Sequence, residues 1–251
     1  MFKKLRSYFT KSPSREIPSE HEERLENLKS IINTDIDDAH LFVRALRHRS
    51  VLADEKYVPS DSYERLEFLG DAVLDLIITE IIYQKFPQKN EGFLTKLRAK
   101  LVKGDALASY AKKLNLSELL VLGERAQGQG IEFSKSILAD VFEALVGAMY
   151  MDQGYNPTFD FVGRVIHEYV DFQKVINTLD NHKSILLEYA QAHKMAIPEY
   201  EVVAEEGPGH NKTFEIRVIV DNQEYGKGKG KSKKEAEQLA AKEALERLEA
   251  V

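Results

Sequence analysis

The 251-residue sequence contains no cysteine and no tryptophan. Without cysteine it can form no disulfide, thiolate zinc site or cysteine nucleophile, which suits a reducing, cytoplasmic location. Long apolar runs are also missing. The run at Leu76–Ile82 is interrupted by Thr79 and Glu80 and is far shorter than the ~20 residues that span a bilayer. We therefore expect no membrane association.

Other absences narrow the function classes. The glycine-rich stretch 123–130 is not followed by Lys-Ser or Lys-Thr, so it is not a phosphate-binding P-loop. The seven histidines include His48 between two arginines, a poor setting for the acid–base pair that a metal-independent ribonuclease needs. His48 is more simply interpreted as structural.

The net charge of −6 conceals an uneven distribution. Residues 1–15 contain five basic residues and no acidic one, and no apolar stretch follows as in a signal peptide. We interpret them as a basic flexible tail. Residues 226–234, GKGKGKSKK, contain five lysines and no acid. Such a local patch matters more for binding phosphates than the total charge does.

Periodicity and composition predict two folded domains of different class, all-α and then α+β. Residues 16–176 are predicted to form an all-α catalytic domain, 177–181 a polar linker, and 182–251 a small α-β-β-β-α domain. The expected helices span residues 20–32, 35–50, 63–77, 93–113, 136–151, 157–176, 183–194 and 233–250, and the expected strands span 200–206, 213–220 and 224–229.

The segment 63–75, YERLEFLGDAVLD, is the most informative one. At about 100° per residue, its four carboxylates fall within an arc of roughly 80°. Taken alone, this pattern indicates a solvated face of an amphipathic helix more readily than a metal site. Phe68 lies at the edge of the acidic stripe, and Leu76 falls on the apolar side. The four acidic residues are Glu64, Glu67, Asp71 and Asp75.

A second helix, 136–151, alters that interpretation. It is apolar nearly all round except for Asp140 and Glu143, and it contains no Lys or Arg. Two close carboxylates on a buried helix repel each other and lose hydration, unless one binds a proton or a cation lies between them. Hard divalent cations prefer clustered oxygen ligands. Two helices that offer Glu67 with Asp71 and Asp140 with Glu143 therefore predict a Mg²⁺-type site.

The C-terminal region carries the signs of an anion-binding surface. Ser232 and Glu235 have the spacing of a capping box, which places Lys233 and Lys234 in the first helical turn, where the helix dipole favours anions. The Gly-Lys alternation before it is expected to form a loop that approaches a phosphate backbone closely. Any one of these lysines, considered singly, is more simply a solvated side chain.

Residues 182–249 resemble a double-stranded RNA-binding domain, from the GPGH turn through FEIRVIV to GKGKGKSKKEAEQLAA. That family reads A-form shape rather than sequence. Leu187 departs from the family, which commonly has a polar residue there. The resemblance implies RNA contacts by Ser184 and Gln191 on the first helix, His210 in the loop between the first two strands, and Lys233 and Lys234 at the start of the last helix.

Residues 63–75 and ILADVFEALVGAMYMDQG resemble the two acidic motifs of the bacterial ribonuclease III family. The resemblance implies a homodimeric, Mg²⁺-dependent endonuclease, with Mn²⁺ as a substitute. It would hydrolyse both strands of double-stranded RNA to 5′-phosphate and 3′-hydroxyl ends, in processing of rRNA and other structured precursors. It implies metal ligation by Glu67, Asp71, Asp140 and Glu143, catalysis by Asp71 and Glu143, an RNA-proximal acid at Glu64, and a dimer contact at Phe68.

Two segments depart from that family. ALRHRS at 45–50 has Arg47 where the family usually has Thr, and the 128–132 loop reads Gly-Gln-Gly-Ile-Glu where many members have Gly-Gly-Arg.

Two alternative functions stay open. One is a non-cleaving RNA scaffold built on a decayed nuclease domain. The presence of all four acids of the predicted quartet, Glu67, Asp71, Asp140 and Glu143, argues against it. The other is an unrelated all-α phosphohydrolase, which would normally need a His-Asp metal pair.

Overall fold

The computed structural model describes residues 19–178, 182–208 and 212–248. Packing divides the chain after Asp171 into two compact units. The first is helical and the second is a small α+β fold, so the predicted fold class is confirmed. The basic tail at 1–15 lies outside the described residues. Within the described ranges, every helix is too short or too polar to cross a membrane.

Seven α-helices of the described residues build the first unit, and the longer connections between them contain short 3₁₀ segments. The longest two, α3 and α6, pack along each other more extensively than any other pair of described elements. Phe42, Phe142 and Phe161 are among the largest fully buried side chains of the core around them. The helices are α1 Glu22–Ile32, α2 Ala39–Ala45, α3 Glu64–Lys85, α4 Glu91–Leu101, α5 Gly104–Lys113, α6 Lys135–Gln153 and α7 Tyr155–Tyr169.

Glycines at the crossing of α3 and α6 set the distance between the two helices. A Cβ atom on Gly70 would lie 1.7 Å from the carbonyl oxygen of Glu143, and one on Gly147 would lie 2.2 Å from that of Leu66. No side chain of any size fits at either position. The two backbones therefore come into direct contact, and the polar edges of both helices are brought together beside the crossing.

The helix predicted over 35–50 is shorter in the structure. It begins after Asp38, whose carboxylate accepts a backbone N–H of the first turn, and it ends at Ala45. The chain then turns away, because the backbone N–H of His48 donates to the carbonyl oxygen of Val121 at 3.0 Å. This pairing between distant segments leaves no trace in local periodicity.

Two further predicted helices, 93–113 and 157–176, are each divided in the structure. Lys103 has ψ 140° and Val170 has ψ 116°, both extended conformations that stop the helical hydrogen-bond ladder. The apolar periodicity continues across each break, which is why the sequence pattern merges the helices.

The second unit contains a three-stranded antiparallel sheet in the order β1-β2-β3. Leu186, Val218, Ala240 and Leu245 form its buried core between the sheet and two helices. The predicted order α-β-β-β-α is confirmed, and it is preceded by a short helix, α8, which is the second part of the helix predicted over 157–176. The elements are α8 Phe172–Asn177, α9 His182–Ala192, β1 Glu199–Glu206, β2 Thr213–Val220, β3 Gln223–Gly230 and α10 Lys233–Arg247.

The Gly-Lys alternation at 226–230 is part of strand β3, which confirms the strand predicted over 224–229. The expectation that the same alternation forms a loop is wrong. Because strand side chains alternate between faces, Gly226, Gly228 and Gly230 all point to the helical face. A Cβ atom on Gly228 would lie 2.1 Å from the carbonyl oxygen of Ala236. The glycines therefore allow α10 to pack closely on the sheet, and the lysines between them point outward.

The capping box predicted at the start of α10 is half present. The Ser232 hydroxyl accepts the backbone N–H of Glu235 at 3.2 Å. The Glu235 carboxylate, however, accepts the backbone N–H of Lys231 at 2.7 Å, not that of Ser232. Two side-chain hydrogen bonds therefore cap the helix start, but the one accepted by Glu235 comes from the residue before the expected donor.

We predict that Gly70→Ala destabilises the first unit by about 1–3 kcal/mol, the usual cost of overpacking a well-packed core. Gly163→Ala is the matched control, since that glycine lies in α7 and a Cβ atom added to it would have no neighbour within 4 Å. The control should be neutral or slightly stabilising, because alanine favours the helix. Urea unfolding measures both; equal effects of the two substitutions would contradict the close crossing.

Candidate metal centre and nucleic-acid surface

Three carboxylates meet where α3 packs against α6. Glu67 from α3 and Asp140 and Glu143 from α6 each place one oxygen so that all three oxygens lie within 4.8 Å of one another. Each of the three side chains is half-buried. Asp140 and Glu143 share a face of α6 because they are three residues apart, and the glycine crossing brings Glu67 to the same place.

Burial and mutual repulsion disfavour ionisation of this group. The pKa of Glu143 is raised to about 7, first by burial and then by the charges of Asp71, Glu67 and Asp140. Burial also raises the pKa values of Glu67 and Asp140. An all-oxygen donor set whose charges repel at neutral pH fits a hard divalent cation, which would relieve the repulsion by binding between the oxygens.

Arg49 is a cation near these acids, but it does not neutralise them. Its charge lowers the pKa values of Glu67 and Asp140, although burial outweighs it in both. Its guanidinium lies 3.9 Å from the carboxylate of Glu64, and both side chains are substantially exposed. A solvent-screened ion pair of this kind contributes little stabilising free energy. The carboxylates of the cluster therefore still repel one another.

The predicted quartet is brought together in part. Asp71 is exposed on α3, one turn after Glu67, and does not belong to the group of three close oxygens. Its charge nevertheless raises the pKa of Glu143, so it lies near the cluster. Glu64 is exposed at the start of α3, where its carboxylate accepts the Ser62 hydroxyl at 3.3 Å.

Tyr63 and His48 adjoin the cluster and were not assigned a role there from the sequence. The Tyr63 hydroxyl donates to Oδ2 of Asp140 at 3.2 Å, and burial raises the pKa of Tyr63. His48 is buried, and its Nδ1 accepts the backbone N–H of Ser50 at 3.1 Å. This contact agrees with the structural role predicted for His48. The one feature of the sequence that could have indicated a role for Tyr63 at the cluster is its position immediately before the acidic helix α3.

Apolar side chains line the exposed side of α3. Phe68 is 83% exposed, Leu76 56% and Tyr83 70%, and their spacing places them within an arc of roughly 80°. Leu76 was expected on the buried side of the helix, and this expectation is wrong. The buried side instead follows Leu66, Gly70 and their neighbours against α6, which rotates Leu76 into solvent.

The lysines of the second unit fall into two groups. Lys227 and Lys229 on the outer sheet face lie 3.5 Å and 3.2 Å from the carboxylates of Glu224 and Glu206. Lys233 and Lys234 are exposed in the first turn of α10, and Lys233 lies 5.6 Å from the centroid of the Phe214 ring. The sheet lysines thus form exposed pairs with acids, whereas the helix-start lysines lie at a helix N-terminus, with the charge of Lys233 also acting on Glu205.

The other predicted RNA contacts lie on α9 or outside the described part of the chain. Gln191 is exposed and Ser184 is half-buried on this helix. Leu187, the departure from the family pattern, is half-buried between them. His210 lies outside the described residues.

Comparison with known proteins identifies both units. A family model described as Ribonuclease-III-like matches residues 38–170, and one described as a double-stranded RNA binding motif matches residues 182–248. Together they define an endoribonuclease that carries a double-stranded RNA-binding domain.

Relatives agree over nearly the whole chain. Ribonuclease 3 of Chlorobium chlorochromatii is 44% identical over 227 residues, which cover 90% of this chain and 91% of the relative. Ribonuclease 3 of a Bacillus cereus strain is 37% identical over 240 residues, covering 96% and 98%. The solved nuclease domain of ribonuclease III from Campylobacter jejuni is 35% identical with a TM-score of 0.53, covering 57% of this chain and 96% of that one. The chain belongs to the ribonuclease III family of double-stranded RNA endoribonucleases.

We predict that Glu143→Gln stabilises the metal-free protein at pH 8 by about 1 kcal/mol, allowing for solvent screening. The pKa of Glu143 rises on folding from 4.5 to about 7, so the contribution of this group to the free energy of unfolding falls as the pH rises from about 4.5 to about 7 and is lowest above that range. Below about pH 4.5 the carboxyl is neutral in both states, and the gain should vanish. Urea unfolding in EDTA at several pH values measures this, with the exposed Glu118→Gln as control. A gain that grew as the pH fell would contradict it.

Proposed function

We propose that the chain is a Mg²⁺-dependent endonuclease that cuts both strands of double-stranded RNA, with Mn²⁺ as a substitute for Mg²⁺. The observation that carries the proposal is the meeting of three half-buried carboxylate oxygens within 4.8 Å, from two helices packed at a glycine crossing. Holding these three carboxylates together costs free energy and has no evident structural benefit. A hard divalent cation would offset this cost, because it binds clustered carboxylate oxygens.

In this proposal Glu67, Asp140 and Glu143 hold the cation, and Asp71 joins them from the exposed edge of α3. Asp71 and Glu143 are assigned the catalytic roles that the family resemblance implies for them, and the charge of Asp71 is close enough to affect the pKa of Glu143. When bound, Mg²⁺ would lower the pKa of a water molecule and stabilise charge on the phosphate. The expected products carry 5′-phosphate and 3′-hydroxyl ends. Glu64, beside Arg49, is proposed as the acid nearest the RNA.

We further propose a homodimer that buries the α3 stripe of Phe68, Leu76 and Tyr83. A solvent-exposed apolar stripe of this kind is typical of a protein–protein contact. The solved Campylobacter jejuni nuclease domain is described as having a region involved in dimer formation. A two-fold dimer would supply two equivalent cleavage sites, one for each RNA strand.

The second unit is proposed to supply most of the affinity for RNA. Lys233 and Lys234, at the N-terminus of α10, would contact phosphates, with Ser184, Gln191 and His210 as the other contacts. The segment 177–181 is proposed as a linker that leaves the two units free to bind and to cut separately. The cellular role that fits such an enzyme is processing of rRNA and other structured RNA precursors in the cytoplasm.

Glu143→Gln should keep RNA binding and lose most cleavage, since the amide carries no charge for the cation. Cleavage of a long RNA duplex in Mg²⁺ and in EDTA, with end-group analysis of the products, measures the activity, and gel shift measures binding. Exposed Glu118→Gln is the control and should cut normally. Full cleavage by Glu143→Gln, or by the wild type in EDTA, would refute the metal assignment. Binding without any cleavage by the wild type would favour the scaffold alternative.

Phe68→Ser should shift the protein toward monomer, because burial of this ring could contribute about 1.5–3 kcal/mol per subunit. Ile197→Ser removes a comparably exposed apolar side chain, 69% exposed, in the second unit and should leave the assembly unchanged. Analytical ultracentrifugation at micromolar concentrations measures both. A wild-type monomer that cuts both strands would contradict the dimer.

Replacing Lys233 and Lys234 with Ala should weaken RNA binding and flatten its salt dependence, because fewer counterions are released from the duplex. Saturating RNA should restore much of the cleavage rate. Replacing Lys227 and Lys229 with Ala is the matched control, since these lysines already pair with acids. Normal binding without cleavage by the Lys233/Lys234 variant would instead assign these lysines to the active site.

A further inference from the structure

Tyr63 holds a fixed place at the start of the acidic helix α3. Its side chain is buried, with 3% exposure. Its carbonyl oxygen accepts the backbone N–H groups of Leu66 and Glu67 at 2.8 Å and 2.9 Å, and its own N–H donates to the carbonyl oxygen of Arg47 at 2.9 Å. The residue therefore anchors the first turn of α3, the turn that carries Glu67, to a separate segment of the chain.

The side chain of Tyr63 reaches across to the other acidic helix. Its hydroxyl donates to Oδ2 of Asp140 at 3.2 Å. The ring packs against His48, with the ring centroids 5.8 Å apart. His48 is itself buried and held by the backbone N–H of Ser50 at its Nδ1. With both its backbone and its ring held, Tyr63 can fix the orientation of the carboxylate that it contacts.

We propose that Tyr63 is a positioning residue that orients Asp140 for cation binding. The proposal rests on the metal site assigned under the proposed function. The hydroxyl holds Oδ2 of Asp140 and so fixes the orientation of the carboxylate, which then need not be ordered when the cation binds. Hydrogen-bonding partners of metal-ligating carboxylates commonly change metal affinity 10- to 100-fold when they are removed.

The same hydrogen bond joins the two helices that supply the ligands. Tyr63 belongs to the start of α3 and Asp140 to α6, so the bond fixes the relation between Glu67 and Asp140 on the side of the cluster away from the glycines. A phenylalanine would keep the ring and its packing against His48 and would remove only the hydroxyl. A change in cation affinity can therefore be separated from a change in packing.

Mn²⁺ binding to the full-length protein without RNA tests the proposal, measured from the loss of the electron paramagnetic resonance signal of free Mn²⁺. We expect Tyr63→Phe to weaken Mn²⁺ binding about 10- to 100-fold. Tyr110→Phe is the matched control, because Tyr110 is also buried, at 5% exposure, and its hydroxyl donates to a backbone oxygen of Leu101. The control should bind Mn²⁺ like the wild type. Raising Mn²⁺ to saturation should return the cleavage rate of Tyr63→Phe close to that of the wild type.

The outcomes separate this proposal from the metal assignment. Glu143→Gln, measured in parallel, should abolish Mn²⁺ binding; if it bound normally, the metal assignment and the role of Tyr63 would both be overturned. If Glu143→Gln lost binding while Tyr63→Phe bound like the wild type, the role of Tyr63 alone would be overturned. An equal loss in Tyr63→Phe and Tyr110→Phe would assign the effect to general packing and would also overturn it.

A measurement on unsubstituted Tyr63 decides the question if Tyr63→Phe does not fold. In protein labelled with ¹³C at tyrosine Cζ, addition of diamagnetic Mg²⁺ should shift a tyrosine resonance, since the acceptor of the Tyr63 hydroxyl would become a metal ligand. The shift should be absent in Glu143→Gln. Failure of every tyrosine resonance to move on saturation with Mg²⁺ would overturn the proposal.

Discussion

The direct backbone contact between α3 and α6 is the constraint on which the candidate site depends. Gly70 and Gly147 have no room for a Cβ atom, and this contact brings Glu67 to the same place as Asp140 and Glu143. Burial and then the charges of the neighbouring acids raise the pKa of Glu143 to about 7, so the fold holds these carboxyl groups where ionisation is disfavoured. A structure held together for stability alone would place a lysine or an apolar residue there.

Much of the site could be predicted from the sequence, because the spacing of residues within each helix determines which side chains share a face. Asp140 and Glu143 are conspicuous because the rest of their helix is apolar. Glu67 lies on the acidic side of α3, away from the side that its buried residues occupy. The exposure of Phe68 likewise accords with its expected place at the rim of the acidic stripe. Periodicity identifies such features because three- and four-residue spacings fix the face of a helix.

The remainder depends on contacts between segments far apart in the chain. Gly70 was not singled out, although a glycine inside a helix costs about 1 kcal/mol relative to alanine and so signals a packing reason. The hydrogen bond from Tyr63 to Asp140 and the early end of α2 at Ala45 arise from tertiary pairing that no local pattern encodes. A strand was predicted over 224–229, but its glycines were also expected to form a loop that approaches phosphates, because their alternation was considered without the packing of α10.

Anomalous diffraction from crystals soaked in Mn²⁺ tests the central claim most directly, because it locates the cation independently of activity. The account predicts an anomalous peak coordinated by carboxylate oxygens of Glu67, Asp140 and Glu143, and no such peak in crystals of Glu143→Gln. A peak elsewhere with these three carboxylates uncoordinated, or none at saturating Mn²⁺, would contradict it.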